Sequence, residues 1–241
     1  MLAPDSSAVA WRERSPLAAA LFRQVVEANR PRLTAVSPAP ADGLSARAPQ
    51  QLKAEIAKTY TAVSCEMERD FIFPTGRAWA QDLDYPAELL ALVPETACVA
   101  FAGVANPFSL GSLSPGEDVL DLGSGAGTDS LVAAQMVGAE GSVTGIDMTP
   151  AMLDRAQRAA AELDVANVRF VEGPVELLPF ANASFDVIIS NGVIDLVPDK
   201  DAVFAELYRV LRPGGRMQLA DVTIQRPVSE EGRRNIDLWT G

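Results

Sequence analysis

Gly123-Ser124-Gly125-Ala126-Gly127 follows the apolar run Val119-Leu120-Asp121-Leu122, and Asp147 closes a second run, Ser142-Val143-Thr144-Gly145-Ile146. A buried strand, a glycine turn opening a helix, and a second strand ending on an acid is how an α/β sheet builds a pocket for a nucleoside. Glycines let the backbone approach a ligand with no Cβ in the way, and the helix they open offers N–H groups and a positive dipole end to an anion. Thr128 stands where a dinucleotide fingerprint has its third glycine, which disfavours a nicotinamide oxidoreductase. Asp147, expected at the carboxyl edge of the sheet, can accept both hydroxyls of a ribose.

The candidate cofactor contacts follow from these elements. Asp121, Gly123, Ser124, Gly125 and Gly127 belong to the first strand and its turn, and Asp147 and Met148 to the end of the second strand. Met148 serves either as an adaptable apolar surface for a nucleobase or as ordinary packing. Val175 and Glu176 lie in Glu172-Gly173-Pro174-Val175-Glu176, a loop placed to cover the base edge or simply to turn in solvent. Ser190 and Asn191 end the fourth strand at the same edge, and Asn191 is either a group facing the reaction or a turn residue. The chain has no histidine. Proton transfer would therefore fall to carboxylates, Tyr, Lys or Cys, and no metal site is expected.

The elements that must position these residues are legible from periodicity. The pattern predicts strands at 119–122, 142–147, 168–172, 185–190 and 216–221, and helices from 128, at 150–163 and at 199–211, with Arg212-Pro213-Gly214-Gly215 as a helix stop. Thr149-Pro150 reads as a cap and first-turn pair. Strands alternating with helices imply a parallel sheet with right-handed crossovers. Upstream, Leu52, Ile56, Tyr60 and Val63 recur at helical spacing over 51–65, and residues 71–107 combine turns such as Pro74-Thr75-Gly76 with a short helix at 87–92 and no strand. The organisation expected is a flexible leader over 1–50, a helical cap over 51–108 and an α/β core over 109–241. The leader holds one helical patch, 17–29, and a Pro/Ala linker, and reads as a disordered extension rather than a transit peptide.

Composition narrows the classes. The 241 residues are 48% hydrophobic, which allows one substantial core with a small appendage. With 20 basic against 32 acidic residues the formal net charge is -12, so a nucleic-acid partner is not expected. No stretch of about 18 apolar residues could span a bilayer. Cys65 and Cys98 are too few for a disulfide framework, which makes a reducing cytoplasm the simplest location.

Val-Leu-Asp-Leu-Gly-Ser-Gly-Ala-Gly-Thr-Asp, Gly-Ile-Asp-Met-Thr-Pro-Ala-Met-Leu, Ile-Ile-Ser-Asn-Gly-Val-Ile-Asp-Leu-Val-Pro-Asp-Lys and Arg-Val-Leu-Arg-Pro-Gly-Gly-Arg together resemble the class I S-adenosylmethionine-dependent methyltransferases, and among them the arsenite methyltransferases and their relatives. The resemblance covers about 101–241, with a looser match around Tyr60. It implies a Rossmann-like sheet with S-adenosyl-L-methionine bound by Gly123, Gly125, Asp147, Met148 and Glu176, and Tyr60 of the cap either closing over it or packing its helix. Such a sheet usually carries two strands beyond the five visible here, so the chain is a fragment, or its edge is open or covered by another element. An open edge would favour pairing with another chain.

Arsenite enzymes hold As(III) through thiolates. The resemblance implies one such cysteine where this chain has Gly192, and another beyond a segment like Leu238-Trp239-Thr240-Gly241. Cys65 and Cys98 remain, in the cap, and read as buried structural thiols or as functional ones. The family's Asn after Val-Ile is Asp195 here, a base, a cation ligand or a solvent-facing group. The reaction implied is methyl transfer to a small molecule: a thiol, a metalloid, or a phenol or quinol precursor. The alternative is a protein that binds the cofactor without catalysis, or that regulates a partner.

Overall fold

The computed structural model describes residues 48–66, 71 and 73–223. The predicted 17–29 helix, the linker after it and the Trp239 segment lie outside the described residues. The described residues from 49 onward form one compact unit by themselves. Its described elements run α1 (Ala48–Cys65), α2 (Gly76–Asp82), α3 (Ala87–Leu92), α4 (Glu95–Cys98), a 3-10 turn (Pro107–Leu110), β1 (Asp118–Leu122), α5 (Thr128–Val137), β2 (Ser142–Asp147), α6 (Pro150–Leu163), β3 (Val168–Glu172), β4 (Phe185–Asn191), α7 (Lys200–Val210) and β5 (Leu211–Ala220).

The five strands are ordered β3-β2-β1-β4-β5 and every pair is parallel. This is the expected Rossmann-like sheet. The chain winds outward from β1 through β2 to β3, then returns to place β4 on the other side of β1. That reversal leaves a crevice above the carboxyl ends of β1 and β4, where open α/β sheets bind ligands.

Strand alternation sorts the core into two faces. Val119, Val143, Val187 and Ile189 pack with Leu131, Val132 and Val137 of α5 and with Ala159 of α6. Leu120, Leu122, Ile146 and Ile188 point the other way, against Val203, Leu207 and Val210 of α7. Because side chains alternate, Asp121 shares the face of Val119, beneath α5. Ala80, Tyr85, Leu90, Val93, Phe101 and Phe108, all upstream of β1, belong to the same core as that face.

The structure departs from the expected elements in three places. The predicted turn at Pro74-Thr75-Gly76 is the entry to a helix, α2, whose Ala80 is fully buried. A second helix, α4, also lies in the 71–107 stretch expected to hold one short helix, and the 3-10 turn begins at its end; elements this short carry too little periodicity to declare themselves. Finally, β5 starts at Leu211, the last residue of the predicted 199–211 helix, and runs through the predicted helix stop. Leu211 pairs with Phe185 and the next pair is Arg216 with Val187, so Arg212-Pro213-Gly214-Gly215 is a bulge between two paired positions. A proline without an N–H and Gly214 at φ +87 suit such an excursion.

The β3–β4 crossover contains no helix, so its backbone polar groups need other partners. Arg209 of α7 donates to the carbonyls of Phe180 at 2.6 Å and Leu178 at 2.9 Å, while Glu206 accepts the Leu178 N–H at 2.7 Å. The Arg209 guanidinium holds the Glu206 carboxyl below the usual carboxylate range. This pair fixes the loop that carries Val175 and Glu176.

Candidate functional site

The main cavity opens above the carboxyl ends of the strands, and its floor is the glycine turn. The N–H groups of Gly123 and Ser124 donate to the Ile146 carbonyl at 2.8 and 2.9 Å, and Gly127 N–H donates to Ser124 at 2.9 Å. Gly123, Gly125 and Gly127 have φ of +70, +51 and +88, a region costly for any residue with a Cβ. Gly125 N–H donates to Asp147 Oδ2 at 2.9 Å and Thr149 N–H to Oδ1 at 2.8 Å. The Thr149 side chain and the Met148 N–H also hydrogen-bond this carboxylate. Burial pushes the Asp147 carboxyl up, opposed by those N–H bonds. Thr149 makes no side-chain cap bond to α6, contrary to the cap expected from Thr149-Pro150.

Met148, Met152, Val175 and Glu176 line the cavity together with Lys53, Ile56 and Tyr60 of α1. Lys53 Nζ lies 2.7 Å from Glu176 Oε1, an ion pair that joins α1 to the β3–β4 loop. Burial, with Asp195, Asp147 and Asp221 nearby, pushes the Tyr60 phenol up and keeps it neutral. Ser124 Oγ is buried with no hydrogen-bond partner. A buried hydroxyl left unpaired is costly, which suits a polar group arriving in the cavity.

Of the residues selected from sequence, Tyr60, Gly123, Ser124, Gly125, Asp147, Met148, Val175, Glu176 and Asn191 line this cavity. Asp121, Gly127 and Ser190 do not. Asp121 points beneath α5, where its Oδ2 accepts the Ser130 hydroxyl at 2.5 Å. Gly127 is there for packing, since a Cβ on it would sit 2.9 Å from the Phe170 ring. Ser190 is fully buried and donates to the Leu122 carbonyl at 3.3 Å.

The two candidate reacting groups are also placed differently than expected. Asn191 reaches the cavity with its amide already engaged, by Val104, Ala105, Asp129 and Tyr85. Asp195 does not line the cavity, although Val193 and Leu196 on either side of it do, and its N–H is directed to Asp221. Burial and the Asp221 carboxylate push the Asp195 carboxyl up to about 7. Neither cysteine lines the cavity. Cys98 is buried, which lifts its thiol to about 11, whereas Cys65 is exposed rather than buried as expected. Among the described residues no three His, Cys, Asp or Glu side chains are grouped to hold a metal, and no helix is long and apolar enough to cross a membrane.

The family described as "Methyltransferase domain" matches residues 113–239. The chain belongs to that family. An arsenite methyltransferase of Halobacterium salinarum is 43% identical over 167 residues, 69% of this chain and 42% of the relative. The crystal structure of an arsenic(III) S-adenosylmethionine methyltransferase from Chlamydomonas reinhardtii is similar with a TM-score of 0.52 and 40% identity, covering 66% of this chain and 53% of that one. A demethylmenaquinone methyltransferase of Listeria monocytogenes is 37% identical over 108 residues, 45% of this chain and 46% of the relative. This methyltransferase domain thus spans about half or less of the proteins it resembles.

Sequence reasoning missed Lys53, Gly103, Thr128 and Asp129 as cavity residues of the domain, and Tyr85 behind them. Asp129 had a local signal, an acid in the first turn of α5. Tyr85 had none, because its partners lie far away in the chain.

Asp121 beneath α5 and Asp129 in the first turn of α5 are both buried, and burial pushes both carboxyls up, Asp121 further under the fields of Asp129 and Asp147. A raised folded value means that the native state keeps a proton the unfolded chain releases near pH 4, so this contribution to stability is lost as pH rises above about 4. Asp121→Asn keeps an oxygen for Ser130 and removes the titration. Its stability relative to wild type is expected to increase between pH 5 and pH 7.5. An equal difference at both pH values in urea unfolding would contradict this.

Proposed function

We propose that this domain binds S-adenosyl-L-methionine in the cavity above β1, β2 and β4 and directs its methyl group to a small-molecule acceptor. The observation that carries the proposal is Asp147, held at the cavity by Gly125 and Thr149 beside a glycine turn whose Ser124 hydroxyl has no partner. Asp147 would take the ribose hydroxyls. Met148 and Val175 would flank the adenine, and Glu176 would accept its amino group. The first turn of α5 and Ser124 Oγ would hold the methionine carboxylate. Tyr60, neutral and set over the cavity, would exclude water.

When bound, this cofactor supplies an electrophilic methyl carbon on a sulfonium. The chain's own contribution is alignment and desolvation. Asn191 has its hydrogen bonds committed and Asp195 stands off the wall, so the reading requires an acceptor that brings its own lone pair: a thiolate, a trivalent arsenical or a quinol anion. Two of the named relatives act on arsenic by their printed names. Neither Cys65 nor Cys98 lines the cavity, so neither would be a ligand of an arsenical bound there.

Titration calorimetry with S-adenosylmethionine, followed by a labelled-methyl assay with arsenite plus glutathione, simple thiols and a demethylated quinol, tests the proposal. Saturable binding with transfer to at least one acceptor is expected. Tight binding with transfer to none would favour a non-catalytic binding protein, and absence of binding would end the proposal.

A further inference from the structure

Two short segments from distant parts of the chain close one side of the cavity: Ala100 to Gly103, and Gly192 with Val193. They approach so closely that each carries a glycine at the contact. A Cβ on Gly103 would lie 2.3 Å from Asn191 Nδ2, and one on Gly192, at φ +69, would lie 3.1 Å from Val104 Cγ1. The Asn191 amide fills that seam. Its Oδ1 accepts the N–H of Val104 at 2.8 Å and of Ala105 at 3.2 Å, and its Nδ2 donates to the Ala105 carbonyl at 2.8 Å.

Behind the amide stands a buried pair. Asn191 Nδ2 is 3.0 Å from Asp129 Oδ2 and 2.9 Å from the Tyr85 hydroxyl, and Tyr85 donates its own proton to Asp129 Oδ1 at 2.5 Å. Two amide protons face three acceptors, so no donor is left over for a ligand. On the far side of the segment the Trp79 indole N–H donates to the Gly103 carbonyl at 2.7 Å. A carboxylate is needed at 129 because it takes two donors at once, and charge-assisted bonds are roughly twice as strong as neutral ones. A fully satisfied buried network of this kind has one arrangement.

We propose that Asp129 is a positioning residue for methyl transfer, which locks Tyr85 and Asn191 and through them the 103–105 segment that sets where the acceptor sits. The proposal rests on the cavity being the methyl-transfer site. It assigns Asn191 a place in the wall instead of a contact with the reacting atoms. Near-attack geometry depends on walls held to fractions of an ångström, so a loosened segment costs turnover even when the cofactor still binds.

Tyr85→Phe in the full chain is the test. It keeps the ring against Phe101 and Phe108 and removes only the hydroxyl. Amide hydrogen exchange at Val104 and Ala105 is expected to rise at least tenfold, with the dissociation constant for S-adenosylhomocysteine within threefold of wild type. At saturating S-adenosylmethionine, kcat should fall at least tenfold while the KM for S-adenosylmethionine stays unchanged. Asn191→Ser, which removes the clamp while leaving Tyr85 and Asp129 together, should give the same pattern. Unchanged exchange in both variants overturns the proposal, as does faster exchange with an unchanged kcat. If the wild-type chain transfers no methyl group to any acceptor, the functional reading fails by itself; exchange and S-adenosylhomocysteine affinity then still decide whether Asp129 locks the wall.

Discussion

Asp147→Ala is expected to raise the dissociation constant for S-adenosylmethionine by about 10- to 100-fold, the scale of one hydrogen-bonded charged group at about 1.5–3 kcal/mol. Two losses combine. The ribose hydroxyls lose their acceptor, and the Gly125 and Thr149 N–H groups lose the carboxylate that ties the glycine turn to the start of α6. Asp147→Asn separates them: one side-chain oxygen remains, so the variant should fall between alanine and wild type. Calorimetry on the folded variants reads both numbers, and an unchanged constant for the alanine variant would remove Asp147 from the site.

Gly123→Ala is expected to destabilise the domain by about 2–5 kcal/mol, whereas Gly125→Ala, two residues on, should cost no more than about 2 kcal/mol. Both have positive φ, which costs a residue with a Cβ roughly 1–2 kcal/mol. They differ in surroundings. A Cβ on Gly123 would lie 2.4 Å from Val193 Cγ2, adding about 1–3 kcal/mol of overpacking. A Cβ on Gly125 meets nothing within 4 Å. It would project into the cavity, so its cost should show in cofactor affinity. Urea unfolding of the two variants checks the ordering, and equal losses would show that the turn relaxes freely.

The contrast shows what a glycine motif conceals. In the sequence Gly123, Gly125 and Gly127 are three equivalent letters. In the structure Gly123 yields to Val193, Gly127 to Phe170 and Ala156, and Gly125 alone leaves room above the turn. Asp121 and Asp147 likewise read as two acids of neighbouring strands, both candidates for the cofactor. The pleat turns Asp121 beneath α5 to Ser130, while Asp147, the last residue of its strand, reaches the cavity.

The sequence by itself determined the parallel sheet, its glycine turn and the acid at the end of β2, because strand alternation, turn chemistry and helix caps act over a few neighbouring residues. β2, α6 and β3 lie where periodicity placed them. Only the tertiary structure decided which residues meet at the cavity wall. Tyr85, Gly103, Asp129 and Asn191 are brought together by the packing of the upstream helices onto the α5 face of the sheet, and Lys53 meets Glu176 only because α1 lies along the cavity. Such contacts join residues far apart in the chain. Their geometry follows from how the layers fit, which no local pattern records.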